Sequence, residues 1–190
     1  MKGRVLFKSI KPILNLLIIF VKIFPNFLKQ FLWDISSKYS GKLFVGFRYV
    51  LLKAICKSVG DNVYVGKYTI IKNAKNIEIG NNVSIHDFCY LEGIGGIYIG
   101  NEVSIAHNCS ILSANHTWEA INVPIKYNKE IFAKVVIQND VWIGCGVRIL
   151  AGVSVNKRSI VAAGAVVTKT FYEKSLIGGV PAKLIKTINE

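Results

Sequence analysis

Acidic residues are scarce in this 190-residue chain, with eleven Asp and Glu against twenty-four Lys and Arg. Over residues 1–57 the shortage is nearly complete: Asp34 is the single acid among eleven bases, so this segment carries +10 of the formal +13. The remainder, with thirteen bases and ten acids, is only +3. Two regions with different partners are implied. The four cysteines, Cys56, Cys89, Cys109 and Cys145, make no CxxC pair and no zinc-type spacing with histidine, so no structural zinc motif is expected. A reducing cytoplasm, with the thiols as small core residues, is the expected setting. No apolar run approaches the roughly 20 residues of a membrane-crossing helix. The most apolar window, Ile13 to Phe24, is bounded by Pro12 and Pro25 and interrupted by Asn15 and Lys22; as a helix it covers about 18 Å and is not expected to span. No small-x-small site follows Phe24, so cleavage as a secretory signal is not expected either. Charged residues are only 18% of the chain and apolar ones 52%, which excludes disorder but not contact with a membrane.

What the first 57 residues do contain is Leu, Ile and Phe in solid runs between bases. Lys42 to Lys57 reads as a second helix, with Leu43, Phe44, Phe47, Val50, Leu51, Ala54 and Ile55 as its apolar face and Lys42, Arg48, Lys53 and Lys57 as basic flanks. Such helices can pack on the rest of the chain or on a neighbouring subunit, with the lysines merely solvated. They can also lie on an anionic leaflet, where each base contributes on the order of 1 kcal/mol. The charge favours the membrane surface, because packing alone does not call for ten net positive charges. Nucleic acid is not expected, since no recognition motif accompanies the bases.

From Val59 onward, aliphatic residues recur at every sixth position. The sets are Val59, Val65, Ile71; Ile79, Ile85, Leu91; Ile99, Ile105, Ile111; Ile137, Ile143, Ile149; and Val155, Val161, Val167. A small residue often follows, as at Gly66, Gly80, Gly100, Ala106, Gly144 and Ala162. A period of six fits neither a helix face nor a single alternating strand, and an internal repeat outranks local propensity. Three short strands per turn of a parallel β-helix satisfy it. Ile137 to Val155 is 18 residues, or three hexads, while Val59 to Ile79 and Ile79 to Ile99 are each 20, a turn with a two-residue corner insertion. Ile99 to Ile137 is 38, so one turn carries a long loop at 112–136, a length that usually signals function. Cys89 and Cys109, 20 apart, are expected to stack in adjacent coils as a reduced ladder.

The stretch VWIGCGVRILAGVSVNKRSIVAAGAVVTKTFYEKSLIGGVPAKLIK, Val141 to Lys186, resembles the hexapeptide-repeat acyltransferases. Within them it is most similar to sugar O-acetyltransferases related to the maltose and galactoside enzymes and to those that acetylate bacterial surface polysaccharides. The likeness runs from about Val59 to Ile188 and leaves residues 1–57 unexplained, so the division expected is a basic apolar helical region at 1–57 and an acetyltransferase domain at 58–188. It implies a left-handed β-helix, a homotrimer, and acetyl-CoA lying in the groove between subunits, with no metal. It also implies that His116, in SANHT at the loop mouth, is the catalytic base. Donor positions that carry over are Trp142 and Cys145 on the pantetheine groove, Ala163, Thr168 and Lys169 at the turn that meets pantetheine and nucleotide, and Lys183 and Lys186 near the phosphates. The family often has Ser or Ala where this chain has Cys145. For the acceptor, Asp87 lies near a position where relatives carry Asn or Asp, whereas Phe88 departs from the pattern.

The chemistry needs a base: a sugar hydroxyl is a poor nucleophile near neutral pH, and an imidazole can take its proton as the oxygen attacks the thioester. His86 and His107 follow their aliphatic neighbours by one and by two, so they are not expected to face the same way as a metal pair. Glu119, Lys126 and Tyr127 lie in the loop and can reach a sugar, with no spacing to choose among them. Each donor position also has a plainer account, Trp142 as rung packing and Lys183 as a solvated charge. The function expected is acetyl transfer to a sugar hydroxyl of a surface polysaccharide or its lipid-linked precursor, at the cytoplasmic face of the membrane. Acetylation of an amino sugar and a non-catalytic scaffold in glycan assembly are the alternatives.

Overall fold

A computed structural model describes residues 2–188. Three helices come first: α1 over Lys2–Lys22, α2 over Asn26–Ser36 and α3 over Lys42–Ile55. Helix α1 runs straight through Pro12, where the apolar window was expected to begin. The ring removes one intrahelical bond. The buried stripe of Phe7, Ile10, Leu14, Ile18 and Val21 continues across it at spacings of three and four, and that packing outweighs the loss. Among the described residues no helix is long and apolar enough to cross a membrane.

Helix α3 corrects the reading of its flanks. Tyr49, Val50, Leu51 and Leu52 are buried, and Arg48 is buried with them at 1% exposure rather than lying on a basic outer flank. Its Nε donates to the Val65 carbonyl at 2.9 Å and its Nη1 to those of Ser36 and Tyr39 at 2.7 and 3.0 Å. One guanidinium thus ties the end of α2, the segment after it and the first coil together. Burial lowers its pKa from the ordinary value, while the carbonyls, including those at a helix C-terminus, suit a cation. Trp33 of α2 is buried and donates from its indole N–H to the Thr69 carbonyl at 3.1 Å. Arg4 and Lys11 of α1 pair with Glu102 and Asp61 of the coil, so part of the basic charge is used internally.

From Ser58 the chain forms a left-handed parallel β-helix with three faces. The first face stacks Ser58–Val59, Ile77–Ile79, Ile97–Ile99, Val135–Ile137 and Ser154–Val155. The second stacks Tyr64–Val65, Ser84–Ile85, Ser104–Ile105, Trp142–Ile143, Ile160–Val161 and Ser175–Gly178, and the third Ile70–Lys72, Tyr90–Glu92, Ser110–Leu112, Arg148–Ile149 and Val166–Val167. Register follows the hexads: Val59 aligns with Ile79, Ile79 with Ile99, Ile99 with Ile137 and Ile137 with Val155. The aliphatic residues of each rung point inward and are buried, because alternate side chains of a strand face opposite sides. Cys89 and Cys109 are free, buried and one coil apart; their Sγ atoms bond the carbonyls of Ala106 and Gly144 at 3.2 and 3.1 Å.

Where a small residue follows the aliphatic one, as at Gly66, Gly80 and Gly100, it has a steric cause. Between the first and second faces the side-chain oxygens of Asn81, Asn101 and Asn139 accept backbone N–H groups of Asp61, Asn81 and Asn101 at 2.7–2.8 Å. A Cβ on Gly80 would stand 2.7 Å from the Asn101 Oδ1 that makes one of these bonds. Between the second and third faces, Asp87 does the same work, its Oδ1 accepting the Lys67 N–H at 2.7 Å.

Beyond Ser175–Gly178 the chain folds back as Lys183–Thr187, antiparallel, and ends the second face with a hairpin. The twenty-residue surplus is not a bare loop. Ala114–His116 pairs antiparallel with Glu130–Phe132, and a 3-10 turn at Ile125–Tyr127 lies at its far end.

Candidate active site

His116 ends the outgoing strand of this hairpin, directly across from Glu130. The imidazole Nε2 stands 3.4 Å from Glu130 Oε1, and the two side chains are 52% and 45% exposed. A carboxylate there favours the tautomer with its proton on Nε2, which leaves the Nδ1 lone pair to accept another proton. The hollow beside it, about 230 Å³, is lined by Asn115, His116, Thr117, Trp118, Glu119 and Ile131.

The hairpin is held by two polar anchors. Thr117 donates twice to the Lys129 carbonyl, from its N–H at 2.9 Å and its hydroxyl at 2.8 Å. Asn128, buried at 7% exposure, accepts the Ala120 N–H at 3.0 Å and donates to the carbonyls of Val123 at 2.9 Å and of Ala120 and Pro124 at 3.4 Å. A segment with almost no apolar core is thereby closed on itself. Its outer surface is apolar: Trp118, Ile121, Ile125 and Tyr127 are each more than 60% exposed.

The predicted residues fall into two groups within one chain. His116 and Glu119 share a hollow at the corner between the third and first faces, and Thr168 and Lys169 lie at the same corner further along, following Val166–Val167. Lys169 Nζ sits 5.6 Å over the Phe171 ring. Trp142 is 54% exposed on the second face, in register with Ile160, then Leu176, then Lys186. At about 4.8 Å per strand this outward row is roughly 14 Å long. Cys145 and Ala163 stack at the corner after it, where the Gly164 N–H reaches the Cys145 carbonyl at 2.8 Å. Lys183 is exposed on the last strand with Lys186. The width of the third face separates the two groups.

The acceptor candidates separate as well. Glu119 borders the His116 hollow, Tyr127 is exposed at the 3-10 turn and Lys126 Nζ lies 5.5 Å from its ring, while Asp87 has one oxygen committed to the coil backbone. His86 packs its ring against Tyr64 at 5.6 Å, and the His107 carbonyl accepts the Gly146 N–H; no metal-holding group of His, Cys, Asp and Glu occurs among the described residues. Sequence reasoning missed Glu130 and Asn128. Both lie where the hexad has stopped, so only the hairpin register brings Glu130 to His116, and no pattern marks Asn128.

Comparison with known proteins agrees with this geometry. A family model described as bacterial transferase hexapeptide (six repeats) matches residues 134–169. A maltose O-acetyltransferase from Clostridium difficile 630 superposes with a TM-score of 0.77 at 28% identity, over 86% of each chain. A hexapeptide-repeat acetyltransferase from Vibrio cholerae O1 biovar eltor, solved with acetyl coenzyme A, gives 0.75 at 26% identity over 83% of this chain and 84% of that one. The 2,3,4,5-tetrahydropyridine-2,6-dicarboxylate N-acetyltransferase of Staphylococcus aureus (strain JH9) is 48% identical over 56 residues, 30% of this chain. The matched segment spans less than a third of the length of such curated relatives. With its hexad register and its three-faced coil, the chain carries the bacterial transferase hexapeptide repeat over residues 134–169 and shares its fold with these acetyltransferases.

Proposed function

We propose that this chain transfers an acetyl group from acetyl-CoA to a sugar hydroxyl of a bacterial surface polysaccharide or its lipid-linked precursor. The observation that carries the reading is the half-exposed His116 imidazole, backed by Glu130 at 3.4 Å, at the rim of an ordered hairpin. Nδ1 of His116 takes the hydroxyl proton as the sugar oxygen attacks the thioester carbonyl carbon. The C–S bond then breaks, and the imidazolium returns the proton to the departing CoA sulfur. Glu130 stabilises that imidazolium and orients the ring without touching the reacting atoms.

The division of the site residues between two corners supports a homotrimer. The corners of one prism cannot meet each other, but a corner of one subunit can meet the second face of the next in a closed ring. In that arrangement Trp142, Cys145 and Ala163 flank the pantetheine, and Thr168, Lys169, Lys183 and Lys186 supply polar and cationic contacts for the nucleotide and phosphates.

The helical region is assigned to an anionic membrane surface on the cytoplasmic side. Support comes from α1 and α2, not from α3, whose Val50, Leu51 and Leu52 are buried. Ile13, Leu16, Phe20, Ile23, Phe27 and Phe31 are 58–78% exposed, with Lys8 and Lys22 on another side of α1. Vesicles of phosphatidylcholine with phosphatidylglycerol should retain the wild-type protein and release the double variant Leu16→Glu, Phe20→Glu. Equal retention of both sinks the membrane assignment.

The activity is tested by incubating the protein with acetyl-CoA and candidate lipid-linked or nucleotide sugars and weighing the products. An alkali-labile acetyl adduct supports the ester. An alkali-stable adduct means an amide and the amino-sugar reading, and absence of both adduct and CoA binding leaves a scaffold.

A further inference from the structure

A second cleft, of about 500 Å³, lies between α2 and the first strand of the third face. Its walls combine an aromatic ring, Tyr68, with short polar side chains and a carboxylate: Gln30, Asp34, Ser37, Lys72 and Asn73. Asp34 is the one acid of the first 57 residues. No described base pairs with it; instead Gln30 Nε2 holds its Oδ1 at 3.1 Å, which fixes the carboxylate beside the cleft.

Tyr68 is the second unusual feature. It stacks on Phe88 of the next coil, centroids 5.1 Å apart and planes within 15°, and the two rings stay 43% and 55% exposed. Both residues have left-handed backbone, φ 53° and 61°. The same corner of the coils beyond uses Asn108, Gly146 and Gly164, the residue types that tolerate this conformation. Bulky aromatics there are outliers, and such strain commonly marks a functional position. The rings stay partly exposed, with Lys67 Nζ 5.9 Å from the Tyr68 centroid.

The cleft also points along the molecule toward His116. Lys72 at its edge is in register with Glu92, and Glu92 with Leu112, two rungs or about 10 Å away. Leu112 leads directly into the strand that carries His116. An exposed aromatic platform beside a carboxylate and amides suits the apolar face and hydroxyl edge of a sugar ring. We infer that this cleft is a glycan subsite, which grips a saccharide unit remote from the reacting one, so that the acceptor is an extended oligosaccharide rather than a single sugar. The inference rests on the acetyl-acceptor reading only for its purpose, not for the binding itself.

The test therefore measures binding without turnover. The His116→Ala protein is titrated, by saturation-transfer NMR, with glucose-, galactose-, mannose- and N-acetylglucosamine-based oligosaccharides of one to six units. At least one series should bind ten-fold or more tighter at four units than at one. Tyr68→Asn, which suits the left-handed backbone and so keeps the fold, and Asp34→Asn should each abolish that gain while leaving acetyl-CoA affinity unchanged. Length-independent binding, no binding by any series, or a gain that survives in both variants overturns the subsite. Length-dependent binding with no acetyl transfer by the unmutated protein would instead overturn the transferase reading and leave the subsite standing.

Discussion

Replacing Glu130 by Gln, beside His116→Ala, separates the proposed base from the group proposed to hold it. The pair is 3.4 Å apart and about half exposed on both sides. In water-like screening two unit charges at that distance interact by about 1.2 kcal/mol, and exposed pairs typically retain roughly 0–1 kcal/mol. One kcal/mol of lost stabilisation of the imidazolium is about a five-fold fall in kcat. Removing the imidazole removes proton transfer itself, which typically costs 10²- to 10⁴-fold, about 3 to 5 kcal/mol. The two variants should therefore differ by more than an order of magnitude. The assay is loss of thioester absorbance at saturating acetyl-CoA and acceptor, chosen over thiol capture because Cys145 is a partly exposed free thiol. If Glu130→Gln is as inactive as His116→Ala, the carboxylate moves the proton and its assignment as a positioning residue is wrong. If His116→Ala stays within ten-fold of wild type, the base is another group.

Arg48→Met removes three bonds to the carbonyls of Ser36, Tyr39 and Val65 and should cost about 3–5 kcal/mol, read as a Tm lower by about 10 °C in calorimetry. Asn128→Ala deletes the amide that closes the excursion; at about 1 kcal/mol per bond, protease cleavage between 117 and 130 should accelerate several-fold while the global Tm stays near wild type. Peptide mapping after a short exposure to N-ethylmaleimide should find Cys145 labelled first and protected by acetyl-CoA. Cys89 and Cys109 are buried, and burial pushes the Cys56 thiol up to about 12, so its reactive thiolate is rare; label on Cys56 ahead of Cys145 would contradict this ordering.

The coil was legible from sequence because its physics is periodic. An inward aliphatic residue every sixth position is forced by a rung that turns three corners, and the glycine after it at positions such as Gly66, Gly80 and Gly100 by asparagine or aspartate oxygens that occupy the space where a Cβ would sit. The site of the interruption followed from the same count, since a break in a regular beat is itself a signal, while His116 within it was singled out by the resemblance. Charge asymmetry and the apolar runs likewise announced a helical region of different character.

Tertiary structure alone decided what has no period. Glu130 reaches His116 through a hairpin register fourteen residues apart, Asn128 organises the loop through bonds to carbonyls that any sequence would supply, and Tyr68 meets Asp34 across a cleft between helix and coil. Helix faces were decided there too. Local composition gave α1 and α3 similar apolar and basic content, but only three-dimensional packing determines that α3 turns Leu51, Leu52 and Arg48 inward while α1 keeps Leu16 and Phe20 outside. Burial depends on which surface a helix meets, and that is a property of the assembled chain rather than of any segment within it.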